Sequence, residues 1–160
     1  MPDDDASAVY ALAYEEAVRA LSEQQATLQS LRTNAGILLS AAAIATSFLG
    51  GTALRAGDFT GLSWTAVVLF ASLAAAIFAI LWPRTDWEFV AGPRRLISTY
   101  AETGSSLPLP RVKRDLALHM EDSYDANGWR LGWMVRLMRL AIVFLAAETL
   151  IWIIDLVSRP

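Results

Sequence analysis

The run AGILLSAAAIATSFLGGTAL, Ala35 to Leu54, holds twenty residues without a charge. At about 1.5 Å per residue, a helix of that length matches a hydrocarbon core of ~30 Å. It reads as a first membrane-crossing helix. Nothing upstream interrupts it, because neither Gly nor Pro falls between Pro2 and Gly36. Residues 6–34 therefore read as a helix continuous with the crossing. Asp5 or Ser7 is placed to cap its start, and the aspartates at 3–5 suit the positive end of its dipole. Within it, Tyr14, Ala17, Leu21, Gln24, Leu28, Leu31, Ala35 and Leu38 alternate spacings of three and four, which makes a heptad seam. Such a seam packs either on its own chain or between copies as a coiled coil. Gln24 would weaken an inter-chain coil but fix its register.

Downstream, RAGDFTG (55–61) is a turn. It leads into a second uncharged stretch that ends at Pro83 and carries Trp64 and Trp82 near its two ends, where interfacial aromatics belong. Residues 35–83 thus form a membrane hairpin. Residues 84–136 differ in kind, being polar and rich in Arg. A short helix is expected from Pro93, then a loop at TGSSLPLP, then a helix through Tyr124. Asn127–Gly128 reads as a turn or cap, with a new helix starting near Trp129. Residues 137–157 form the third apolar segment, expected to cross as well, with a surface-lying helix as the alternative.

Composition agrees with this reading. Hydrophobic residues make up 55% and charged residues 18%, against about 25% charged in ordinary globular domains. Mean hydropathy is +0.40. There is no cysteine and one histidine, His119. Disulfide and thiol chemistry are therefore excluded, and a zinc site would need carboxylates for its other protein ligands. Asp115, His119 and Asp122 share one helical face and read as a solvated polar face. No phosphate-binding glycine loop or nucleophile triad is present, so neither an enzyme, a cofactor nor a metal is expected. The start, MPDDDASAV, is acidic and does not read as a secretory signal.

Charge places the ends. The turn at 52–61 offers only Arg55, whereas residues 84–139 carry nine basic residues. Positive residues mark the cytoplasmic side. The expected fold is an all-α integral membrane bundle with three crossings. Its N-terminal helix (1–34) and the region 84–136 lie in the cytoplasm, and its C-terminus lies outside.

Glu148 is the residue that composition alone does not explain. Eight uncharged residues precede it and six follow, up to Asp155. An ionisable residue near the bilayer centre costs on the order of 3 kcal/mol on insertion scales, so it needs a partner or a purpose. Glu148, Trp152 and Asp155 share a helix face. Ser40, Thr46, Ser47 and Ser72 can supply a hydrogen bond that locks a bundle. A ring of carboxylates around a symmetric pore is the functional alternative, with Ser40 and Ser47 on a small-residue stripe of the pore wall, and a proton relay is a third. Three helices leave little room for a pore in one chain, so the pore reading requires a homo-oligomer. The clusters Arg94–Arg95 and Arg111, Lys113, Arg114 fit either anionic lipid or an anionic ligand such as a nucleotide or oligonucleotide. Trp87, Phe89, Tyr100, Tyr124 and Trp129 are available to stack on bases.

The stretch EEAVRALSEQQATLQSLRTNAGILLSAAAIATSFLGG (15–51), the hairpin ending ILWP (80–83) and the helical region after it resemble the SLATT-type small bacterial membrane effectors. These accompany nucleotide-synthesising antiviral systems. The resemblance implies a bacterial inner-membrane protein that assembles and conducts ions or disrupts the membrane when a nucleotide signal changes. The competing expectation is a non-conducting anchor that recruits a cytoplasmic protein partner.

Overall fold

In a computed structural model, the described residues are 2–57, 59–83, 87, 97–98 and 107–159, with side chains from Asp5 onward. Three long helices carry the architecture: α1 (Pro2–Arg55), α2 (Gly61–Leu81) and α3 (Leu109–Val157). All three are long and apolar enough to cross a membrane. The fold is all-α, as expected. Helix α1 runs without a break through the junction of its polar and apolar halves, as the absence of Gly and Pro before Gly36 requires. It begins at Pro2 rather than at an Asp5 or Ser7 cap. Proline suits the first helical turn because its missing N–H has no partner to lose there.

The turn at 56–60 is built from local chemistry. Gly57 takes φ of 140°, a value that side chains disfavour. Thr60 then caps α2: its hydroxyl accepts from the N–H groups of Leu62 and Ser63, each at 3.2 Å. The Ser63 hydroxyl in return accepts from the Thr60 N–H, also at 3.2 Å. This reciprocal capping box satisfies three backbone donors that a helix start leaves open.

One expected break is absent. Helix α3 passes through Asn127–Gly128 with no turn. Asn and Gly both disfavour a helix interior, yet here Asn127 is buried and Gly128 lies against the Gln24 side chain. Tertiary packing outweighs a propensity deficit of about 1 kcal/mol for glycine. The helices expected through Tyr124 and from Trp129 are therefore one helix. The helix expected from Pro93 lies outside the described residues.

The chain divides into two compact units, residues 1–28 with 84–131 and residues 29–83 with 132–160. In the first, α1 packs on the opening half of α3. Leu21, Gln24 and Leu28 of α1 and Ala117, Met120, Ser123 and Asn127 of α3 are buried. Gln24 Nε2 donates to the Tyr124 carbonyl at 3.0 Å. The heptad seam is thus covered within the chain, and the coiled coil between copies would have to use another face.

The second unit is a three-helix bundle. Its core includes Ala53, Ala66 and Trp152, with Leu49, Phe59, Val67, Ile151 and Leu156 against them. Phe59 meets Trp152 at a ring distance of 6.3 Å. Gly50 allows this close approach, since a Cβ there would sit 3.3 Å from the Trp152 ring. The outward surface is apolar, with Ile37, Ile44, Phe48, Val68, Phe78, Val143 and Leu150 all exposed. So large an apolar surface suits lipid rather than water.

Because the seam is internal, Leu28→Ala is expected to destabilise the single chain by about 2–5 kcal/mol, as buried leucine truncations do. Denaturation in detergent measures this. The particle mass by sizing with light scattering is expected to stay unchanged, whereas a seam between copies would dissociate.

Candidate functional site

Two polar clusters sit inside the bundle unit, one around each of the two carboxylates that α3 carries there. They differ in how completely they are satisfied.

The first is centred on Asp155, which is fully buried. Its Oδ1 accepts from the Thr60 hydroxyl at 2.5 Å. Its Oδ2 accepts from the Ser63 hydroxyl at 2.8 Å and from Arg159 Nη2 at 2.7 Å. Arg159 Nη1 donates to the Ala53 carbonyl at 2.7 Å, and Nη2 also reaches Ser63 Oγ at 3.1 Å. The cluster joins three helix ends. Thr60 and Ser63 belong to the start of α2, Ala53 to the last turn of α1, and Asp155 to the last turn of α3. The electrostatics agree with the geometry: a carboxylate meets the positive end of α2, and a guanidinium meets a terminal carbonyl of α1.

The second is centred on Glu148, two turns earlier on α3 and also fully buried. Its Oε1 accepts from the Thr46 hydroxyl of α1. Its Oε2 has no hydrogen-bond partner. The Trp152 indole lies near the carboxylate, but its N–H makes no well-shaped hydrogen bond and is likewise buried and unpaired. A buried acceptor without a donor costs about 1–3 kcal/mol, and more when charged.

The sequence expectation placed Glu148, Trp152 and Asp155 together, and the structure gathers them on the inner face of α3. Ser40 and Ser47 stand apart. Both are exposed on the outward side of α1, and the Ser40 hydroxyl is turned back onto the Gly36 carbonyl at 3.0 Å. Of the four hydroxyls weighed as partners for Glu148, Thr46 is the one engaged. Ser72 instead donates to the Val68 carbonyl at 2.8 Å.

Among the basic candidates, Arg111 and Arg114 are exposed, three residues apart, and line an open groove of 860 Å³ together with Ser7, Tyr10 and Asp115. Arg114 also pairs with Asp115 at 3.5 Å. Lys113 is half-buried and outside that groove. Arg94 and Arg95 lie outside the described residues. A second, apolar cleft of 590 Å³ in the same unit is lined by Val9, Ala13, Ala17, Ala117, Leu118 and Met120, among others.

Sequence reasoning missed Thr60, Ser63 and the role of Arg159. A signal existed for each. TGLS is a Thr-x-x-Ser pattern opening an apolar run, close to the capping-box form. Asp155 and Arg159 stand four apart on one helix face, a spacing at which charges pair.

No protein-family model matches the chain, and no curated protein or solved structure is significantly similar to it.

Breaking a buried pair leaves an uncompensated charge, which costs about 3–5 kcal/mol. Arg159→Met is expected to lose that much stability, because Asp155 stays behind. Asp155→Asn combined with Arg159→Met is expected to recover part of the loss. A double-mutant cycle on unfolding in detergent measures the coupling, and additive losses would show that the pair does not act as a unit.

Proposed function

We propose that the protein is an oligomeric membrane effector that conducts ions or perturbs the bilayer under control of an anionic, nucleotide-like ligand. The observation that carries this reading is the buried Glu148 carboxylate, left with an unpartnered oxygen in the middle of an apolar segment. A segment that only anchors gains nothing from such a group, and intramembrane carboxylates mark ion or proton paths. The described arrangement, with Glu148 turned inward, corresponds to a closed form. Opening exposes it to an axis shared between copies. The groove carrying Arg111 and Arg114 supplies the ligand contact, since guanidinium groups suit phosphate oxygens. The resemblance of residues 15–51 and 80–83 to SLATT-type effectors supports a bacterial inner membrane and a role in antiviral defence. The excess of basic residues in 84–139 over the turn at 52–61 supports a cytoplasmic N-terminus and an external C-terminus.

A second reading is favoured by a specific observation. Both carboxylates are covered by their own chain, and the apolar cleft of 590 Å³ offers a place for a protein helix. On that reading the protein is a non-conducting anchor that recruits a cytoplasmic partner.

Ion flux through the purified protein in sealed liposomes, with and without a panel of nucleotides, separates the two. The effector reading expects protein-dependent flux that a nucleotide changes, and Glu148→Gln reducing cation flux several-fold while assembly is retained. Absence of flux from protein shown to be inserted and folded favours the anchor. Equal flux in wild type and variant removes the Glu148 charge from the mechanism.

A further inference from the structure

Arg32 is an arginine of the bundle unit whose surroundings contradict its chemistry. It precedes the uncharged run Ala35–Leu54 by less than one helical turn, between the buried seam residues Leu28 and Ala35. The residue is half-buried, and its Nε and Nη2 are shielded from solvent without any hydrogen-bond acceptor. A guanidinium carries five donors and cannot lose its charge, so dehydrated and unpaired donors are costly.

Among its described residues the unit offers Arg32 no carboxylate. Its acids are Asp58, Glu148 and Asp155. Asp58 follows the far end of α1, and Asp155 is held by Arg159. The level of Glu148 follows from the register of α1 on α3. Thr46 meets Glu148, and Gly50 approaches Trp152. The same offset carries Arg32 to the level of Met134. Glu148 lies fourteen residues further along α3, roughly 21 Å away along the axis.

Other cations share this end. Arg136 and Arg139 are exposed on α3 just past that level. Neither they nor Arg32 makes an ion pair among the described residues. Trp82 and Trp133, which suit an interface, are exposed at the same end. The result is a set of arginines near one mouth of the bundle, with interfacial aromatics and, among the described residues of the unit, no carboxylate at that level.

We propose that Arg32, with the exposed Arg136 near the same level of the bundle, is a binding site for the phosphate of an anionic phospholipid headgroup. The guanidinium fork matches phosphate oxygens. The long aliphatic stem lets Arg32 turn outward to the headgroup level while its carbons stay on the helix surface. The bound phosphate supplies the acceptor that the protein lacks. This site is independent of whether the chain conducts.

Thermal unfolding of the full chain tests it in neutral detergent alone, with added phosphatidylglycerol, and with inorganic phosphate at equal concentration. Phosphatidylglycerol is expected to raise the wild-type midpoint, and Arg32→Met to lose most of that rise. In neutral detergent Arg32→Met is expected to equal or exceed the wild type, because it removes an unpaired buried charge. A lower midpoint there would mean that the guanidinium has a protein partner, and would overturn the proposal. So would an equal lipid-induced rise in variant and wild type. Inorganic phosphate reproducing the whole rise would overturn the lipid assignment. Should Arg32→Met fail to fold, Arg32→Lys retains the charge without the fork. It is expected to keep only part of the rise, and a full rise would overturn the fork contact.

Discussion

The carboxylate of Asp155 holds the bundle unit together at the end where its three helices finish or begin. Its strength comes from using each hydroxyl twice. Thr60 and Ser63 accept from backbone N–H groups with their lone pairs, which caps α2. The proton of each hydroxyl remains free to donate, and both go to Asp155. Arg159 closes the circuit by neutralising Asp155 and capping a carbonyl of α1. In an apolar surrounding every one of these groups would be expensive alone. Together they leave little unsatisfied, although Arg159 Nε stays buried without a partner.

Glu148 shows what the same chemistry looks like when left incomplete. It occupies the same face two turns earlier and has only Thr46 as a hydrogen-bond donor. The contrast is one of supply. Asp155 lies beside a helix start, where hydroxyls and a helix dipole converge, whereas Glu148 lies mid-helix, where backbone donors are already consumed. A mid-helix carboxylate must rely on side chains, and α1 presents one hydroxyl. This imbalance is the physical basis for proposing a functional role for Glu148, while Asp155 serves the architecture.

Much of the fold was legible because it rests on long, uninterrupted patterns. The uncharged run 35–54 and the absence of Gly or Pro before it dictated a continuous α1. The seam through Leu21, Gln24 and Leu28 was equally visible, but spacing cannot say which surface covers it. The false break at Asn127–Gly128 has the opposite origin. A local dipeptide preference was legible, and the packing that overrides it was not. The pairing of Thr46 with Glu148 and of Thr60 and Ser63 with Asp155 joins residues about a hundred positions apart, so only the register of the helices could reveal it.

That register follows a single period. Leu21, Leu28, Ala35 and Ala42 are buried on α1, Ala66, Leu73 and Ile80 on α2, and Met120, Asn127, Met134, Ala141, Glu148 and Asp155 on α3, each series spaced by seven. A strict period of seven implies a left-handed twist of the helices about one another. Alanine recurs on these lines, and small residues let backbones approach where lipid provides no hydrophobic drive. The two carboxylates are consecutive members of the α3 line after Ala141. Their inward placement is therefore not a local accident of rotamer. Turning Glu148 outward means moving the whole inner line of α3 relative to α1. Any state that exposes it must then shift the helix and strain the Asp155 knot seven residues on. In the proposed mechanism the satisfied carboxylate thus acts as a latch on the unsatisfied one.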